Sequence, residues 1–261
     1  MLKQRIMTAL VAVAVLVIVL FYVPPAVAEA LVGLLVLAGA WEWSNFLGLK
    51  NSMLRVAYVL LVGLLIGAVG YVWTGYEGLV LKLALAWWLT ALVWTFVFPT
   101  PIPVVIRWLC GVLVLVPLYV ALVMLYNLSP LILLFALVIV WAADVGAYFS
   151  GKQFGRVKLA PSISPGKTWE GVIGGLLVVG IVAAIGNLWL SADLLVLLPF
   201  CLGVAGTSIV GDLTVSMFKR TAGVKDSGTL FPGHGGVLDR VDSVAAAAPV
   251  FALGAGWMGL S

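Results

Sequence analysis

Residues 169–189 read Trp169-Glu-Gly-Val-Ile-Gly-Gly-Leu-Leu-Val-Val-Gly-Ile-Val-Ala-Ala-Ile-Gly-Asn-Leu-Trp189, with one acid at the start and no charge after it. An apolar run of about 20 residues is long enough to cross the hydrocarbon core of a bilayer as a helix. It lacks the period-2 alternation of a barrel strand, and in lipid the backbone must satisfy its own polar groups. Similar runs recur at roughly 6–23, 26–47, 54–73, 79–98, 106–126, 129–149, 192–211 and 243–260. The chain is 64% hydrophobic and 9% charged, with a mean hydropathy of +1.23. These figures exclude an ordinary soluble domain. The expected fold is an all-α, polytopic integral membrane protein of about nine transmembrane helices.

Lysine and arginine placement orients those spans. With the N-terminus inside, Lys3, Arg5, Lys50, Arg55, Arg107, Lys152, Arg156, Lys158, Lys167, Lys219, Arg220, Lys225 and Arg240 all fall on the inner side, and only Lys82 lies near the outer side. The positive-inside rule asks for this asymmetry, so the N-terminus is expected inside and the C-terminus outside. Lys3 and Arg5 before an apolar run, with Ala26-Val27-Ala28 after it, also resemble a secretory signal. The run of 18 residues is longer than a usual signal core, so it is read as a span.

The net charge of +4 suits anionic headgroups at the inner face, and no basic stripe with interleaved aromatics suggests nucleic acid. Cys110 and Cys201 sit in apolar runs and read as small hydrophobes, not as a disulfide or metal pair. Trp41, Trp43, Tyr71, Trp73 and Tyr126 read as interfacial anchors. Glu29, Glu42 and Glu77 stand near predicted helix ends, where water can reach them. The whole chain, 1–261, reads as one transmembrane domain, with 1–140 as scaffold and 141–261 carrying the polar chemistry.

That chemistry occupies two long inner connections, 150–168 and 212–242, which the topology puts on one face. Asp212, Ser216, Lys219 and Arg220 stand at i, i+4, i+7 and i+8, one side of a helix. A carboxylate, a hydroxyl and two cations suit a metal-bound phosphate, although a salt-bridged helix end would look the same. The next stretch is rich in glycine and holds the only histidine, His234, in Pro-Gly-His-Gly-Gly. Glycines let backbone amides approach a phosphate. Asp239 and Asp242 are i and i+3 at the start of the last span, an Mg²⁺ arrangement or ordinary helix capping. Asp144 lies inside a span, where a lone carboxylate needs a polar cavity or partner, and Tyr148 is one turn away. Ser164-Pro-Gly-Lys167-Thr168 looks like half of a phosphate loop, but the glycine spacing and preceding strand of a P-loop are missing. Ser164, Lys167 and Thr168 remain candidates to grip a nucleotide.

At Ser216, Lys219, Arg220, Lys225, Asp226, His234, Gly235, Gly236, Asp239, Arg240 and Asp242 the chain resembles the phosphatidate cytidylyltransferase (CDP-diacylglycerol synthase) family at every fixed position of its pattern. Residues 164–171 are similar to that family's upstream loop. The resemblance implies a membrane enzyme that transfers CMP from CTP to phosphatidic acid, giving CDP-diacylglycerol and pyrophosphate. It also implies Mg²⁺, with a second cation in a mixed pair, and a homodimer. On this reading Asp212, Asp239, Asp242 and Asp144 are metal ligands. Lys219, Arg220 and Arg240 hold phosphates. Lys225 and His234 meet the leaving pyrophosphate, and Asp226 orients Lys225 or joins the metal. Ser164, Lys167, Thr168 and Ser216 bind substrate. A bacterial inner membrane is the expected location. Two alternatives stay open: a CTP-dependent nucleotidyltransferase or kinase for another lipid acceptor, and a transporter of an anionic solute.

Overall fold

The computed structural model describes residues 2–49, 51–190, 192–228 and 235–258, with side chains from residue 11 onward. Helices fill most of it: α1 (Leu2–Phe21), α2 (Pro25–Phe46), α3 (Ser52–Gly67, continued by a π-helical turn, Ala68–Val72), α4 (Glu77–Val97), α5 (Val104–Leu128), α6 (Pro130–Phe154), α7 (Trp169–Leu190), α8 (Leu194–Thr221) and α9 (Leu238–Trp257). Each apolar run seen in the sequence became one of them. Pro25 and Pro130 open their helices, where a missing N–H costs nothing. Asn51 and Asp193 cap theirs by accepting the amides of Met53 at 2.8 Å and Leu195 at 2.9 Å. Pro117, Pro199 and Pro249 lie inside helices, as bundle packing permits.

The all-α expectation needs one amendment. Between α6 and α7 the chain forms a small antiparallel hairpin of β1 (Lys158–Ala160) and β2 (Ser164–Thr168), pairing Lys158 with Thr168 and Ala160 with Ser164 across a bulge. In Ser-Pro-Gly-Lys-Thr only Thr168 favours a strand. The hairpin exists because Trp169 donates its amide to the Val157 carbonyl at 2.9 Å and the buried Ile163 pins the turn.

Seven helices, α2 through α8, are long and apolar enough among the described residues to cross a membrane. Their outer faces carry a belt of large apolar side chains, such as Leu195, Leu188 and Phe96, each more than three-quarters exposed. A belt of this kind is expected where lipid, not water, is the solvent. α9 is different. It opens with Asp239, Arg240 and Asp242 and continues through the small residues Ala245–Ala248, which are buried. It packs against α2, α4, α5, α6 and α8. A helix wrapped by protein does not need lipid-level hydropathy, and its alanines let neighbouring backbones come close.

The most extensive helix pair is α6 with α7, and glycine is the reason. A Cβ on Gly146 would stand 2.9 Å from the Gly174 carbonyl oxygen, and one on Gly175 would stand 2.7 Å from that of Ala143. Only glycine allows backbones this near.

Polar ties gather several connections at one end of the bundle. Arg55 Nε donates to Ser44 Oγ at 2.8 Å, Arg107 donates to the Phe46 carbonyl at 3.0 Å, and Trp43 Nε1 to the Arg107 carbonyl at 3.0 Å. Ser162 Oγ reaches the Phe98 carbonyl at 3.4 Å. At the opposite end Asn127 donates to Glu29 at 2.9 Å. Two sequence expectations fail here. Trp43 is fully buried and Tyr126 nearly so; they are core, not interfacial anchors. Glu42 is also buried, at 4% exposure, because the start of α9 lies over it.

Candidate active site

α8 runs unbroken from the apolar interior to Thr221, so its last three turns carry polar side chains out of the bundle at the end where the hairpin sits. Asp212, Ser216, Lys219 and Arg220 occupy that stretch, and their partners divide them. Ser216 Oγ donates to Asp212 Oδ1 at 3.2 Å. The other Asp212 oxygen meets Lys167 Nζ of the hairpin at 2.5 Å. Lys219 Nζ turns to Asp239 Oδ1 of α9 at 2.8 Å. Arg220 is exposed and its Nε donates to the Ile163 carbonyl at 3.1 Å, tying α8 to the hairpin turn.

α8 and α9 can cross here because Gly211 presses against the Asp242 carbonyl, leaving no room for a side chain. Asp242 is buried beside Lys219, Asp212 and Lys167, within electrostatic range of all three, and accepts the Ser243 amide at 2.8 Å. Asp144 of α6 interacts with Asp212, Lys167 and Ser243. Three carboxylates and two ammonium groups from four elements therefore converge, although they lie up to 98 positions apart in sequence, from Asp144 to Asp242.

Beside them is a cavity of about 510 Å³ between α6, the hairpin, α7 and α8. Asp144, Tyr148, Lys152, Ser164, Lys167, Thr168 and Asp212 line it together with apolar Ala143, Leu159, Val172 and Ile209. Its wall is mostly apolar, with a smaller polar share carried by these charged and hydroxyl groups, which suits a ligand with a charged head and an apolar body. Thr168 contributes less than its sequence context promised. Its hydroxyl accepts the Gly171 amide at 3.2 Å, capping α7, and the residue is buried.

Asp239 is held tightly. Besides Lys219, its Oδ2 accepts the amides of Ser227 at 2.9 Å and Gly236 at 3.0 Å. Burial opposes its ionisation, yet Lys219 and these two amides outweigh that and hold the carboxyl below its usual range. The stability this contributes is present in full above the ordinary carboxyl pKa and drains as pH falls through the depressed one.

Among the described residues no three His, Cys, Asp or Glu side chains form a finished metal cage. Mg²⁺ seldom needs one: it takes one or two carboxylates, several waters and the substrate's own phosphates. Asp144, Asp212 and Asp242 supply hard oxygen donors of that kind. Both oxygens of Asp239 are occupied, so an ion there would have to exchange with Lys219.

Lys225 and Asp226 are exposed on the turn after α8, and Arg240 is exposed in the first turn of α9. None of the three lines the cavity. His234 lies outside the described residues. Sequence reasoning missed Glu42. Its Oε2 accepts Ser227 Oγ at 2.8 Å and the Leu238 amide at 2.8 Å, and its Oε1 accepts the Val237 amide at 2.9 Å. The available signal was an acid between two tryptophans, Trp41-Glu42-Trp43, late in an apolar run.

Known proteins resemble this chain, two of them over nearly its whole length. A phosphatidate cytidylyltransferase of Pseudomonas aeruginosa is 46% identical over 269 aligned positions, covering 98% of this chain and 99% of that protein. One from Haemophilus influenzae is 38% identical, covering 96% of this chain and 97% of the relative. One from Synechocystis is 48% identical over 124 positions, 46% of this chain and 41% of that protein. The profile described as the cytidylyltransferase family matches residues 3–255. With that match running from the first helix into the last, through both ion pairs and the cavity wall, the chain belongs to the cytidylyltransferase family.

Proposed function

We propose that this protein transfers the CMP group of CTP to phosphatidic acid, releasing pyrophosphate and forming CDP-diacylglycerol, at the cytoplasmic face of a bacterial inner membrane. The observation that carries the reading is the convergence of Asp144, Lys167, Asp212, Lys219, Asp239 and Asp242 at one end of an apolar bundle, beside a cavity that is part polar and part greasy. Similarity over nearly the full length, at 46% and 38% identity, to proteins named for this reaction supports it. The nine-span topology, N-inside and C-outside, is supported by the placement of the basic residues and by the polar ties that gather their connections at one end.

The two substrates differ sharply in solubility. Phosphatidic acid stays in the bilayer and CTP arrives from water, so they can meet only at the membrane surface. A lipid phosphate oxygen attacks the α-phosphorus of CTP, a new P–O bond forms, and the bond to the β-phosphate breaks with its electrons on pyrophosphate. The attacking oxygen is already anionic and needs little help from a base. The difficulty is bringing two polyanions together, so positioning and charge supply the rate.

Lys167 and Ser164, on the cavity wall, take nucleotide phosphate oxygens, with Thr168 shaping the wall behind them. Lys219, Arg220 and Arg240 hold phosphates of lipid and nucleotide, with Ser216 fixing Asp212. Lys225 and His234 meet the leaving pyrophosphate, with Asp226 orienting Lys225. A divalent cation, Mg²⁺ in this reading with a second cation beside it, would be held by Asp144, Asp212 and Asp242, and by Asp239 if Lys219 releases it, and would offset charge on the phosphates. Assembly as a homodimer is carried over from the family resemblance.

The test is purified protein in detergent with CTP, Mg²⁺ and phosphatidic acid. Equal amounts of pyrophosphate and lipid-linked CMP are expected. Transfer to a different lipid acceptor with none to phosphatidic acid would reassign the substrate. CTP turnover without any lipid product would overturn the reading.

A further inference from the structure

Glu42 stands in the scaffold half of the chain, yet it is hydrogen-bonded to the segment that carries the last two aspartates. Its carboxylate accepts from Ser227 Oγ, Val237 N and Leu238 N, all within 2.9 Å. Three residues along α2, Asn45 Nδ2 donates to the Ser227 carbonyl at 3.0 Å. α2 therefore holds Ser227 by both its hydroxyl and its carbonyl, and holds the opening of α9 by two amides. A carboxylate beside the first amides of a helix is electrostatically favoured there, and here it comes from another helix.

The fit is close. Side chains on Gly228 or Gly236 would collide with the Glu42 carboxylate, and one on Gly236 would also strike Ser227 Oγ. The amides of Ser227 and Gly236 are the two that hold Asp239 Oδ2, which leaves Oδ1 facing Lys219. One buried carboxylate thus fixes the two backbone segments that fix a second, and the second fixes a lysine at the site.

We propose that Glu42 is a positioning residue for the transfer reaction, acting through Ser227 and the start of α9 to set the Asp239–Lys219 pair. This rests on the function given above. A displacement of about 1 Å at such a distance from the reacting atoms can cost on the order of a hundredfold in rate.

The experiment measures kcat, KM for CTP and melting temperature in detergent for wild type, Glu42→Gln, Ser227→Ala and the double variant, with CTP and phosphatidic acid. Wild-type turnover is the control: its absence defeats the function, not the role of Glu42. Glutamine keeps the volume but must turn an N–H toward at least one donor. Folded Glu42→Gln is expected to lose roughly 10- to 100-fold in kcat, with KM for CTP within about threefold. Adding Ser227→Ala should cost little more, because both act along one route. A purely structural role would lower yield and melting temperature and leave kcat per folded molecule unchanged; that result overturns the proposal, as do multiplicative losses in the double variant. If Glu42→Gln does not fold, Ser227→Ala decides alone: severalfold lower kcat supports the proposal, and wild-type kcat sinks it.

Discussion

The site contains two lysine–aspartate pairs that look alike in sequence and differ in surroundings. Lys219–Asp239 is shut in, with side chains 11% and 10% exposed, and Asp239 is braced by two amides behind which stands Glu42. Lys167–Asp212 faces the cavity, 26% exposed on each side, and Asp212 has only the Ser216 hydroxyl as a second partner among the hydrogen bonds of the described residues. A braced pair is a fixed electrostatic feature. An unbraced pair at a cavity wall can exchange its partner for a phosphate or a cation at small cost. The same chemical contact is thus held fixed in one place and left able to exchange in the other.

Breaking the braced pair should have the largest effect. Asp239→Asn or Lys219→Ala is expected to lower turnover by at least about two orders of magnitude, the scale of losing a group that meets transition-state charge. Each should also cost about 3 kcal/mol of stability, since an uncompensated charge stays buried. Near-normal turnover for Asp239→Asn at saturating Mg²⁺ would remove the distinction. Asp212→Asn should cost roughly ten- to a hundredfold in turnover and raise the Mg²⁺ needed for half-maximal activity. Its stability should change by less than about 1 kcal/mol, as for other accessible pairs; a loss matching that of Lys219→Ala would show that this pair is framework too. Lys167→Ala should raise the KM for CTP about tenfold, one charge-assisted hydrogen bond's worth, with kcat changed less; steady-state kinetics at saturating phosphatidic acid measures it. Thr168→Val is the mildest. It removes a helix cap and should cost about 1 kcal/mol in unfolding free energy, with activity per folded molecule close to wild type.

The helices were legible because length and hydropathy alone decide whether a segment can live in lipid. The hairpin was not, since only Thr168 in Ser164–Thr168 favours a strand, and the segment is paired because its two ends are fixed by α6 and α7. That Asp144, Lys167, Asp212 and Asp242 would be brought together was readable, because charge in an apolar chain demands a use. Pairing was not. The spacing of Asp212, Ser216, Lys219 and Arg220 put them along one side of α8, but it could not say that the hairpin claims the first and α9 the third. Glu42 escaped for a related reason. An acid late in an apolar run reads as water-facing until another helix is seen to cover it. The low hydropathy of α9 likewise follows from its central position, which no local pattern encodes.

The glycine-lined contact of α6 and α7 reaches further than packing. Gly175 stands about 10 Å along its helix from Thr168, at 1.5 Å per residue, and the two helices are the stems from which the Lys167 hairpin hangs. Pushing the stems apart within the bundle, as any side chain at Gly175 would, re-aims a surface lysine without touching it. On the proposed function, the grip of Lys167 on a nucleotide would therefore be governed in part from inside the apolar bundle, and substitutions that impair it need not lie near the nucleotide.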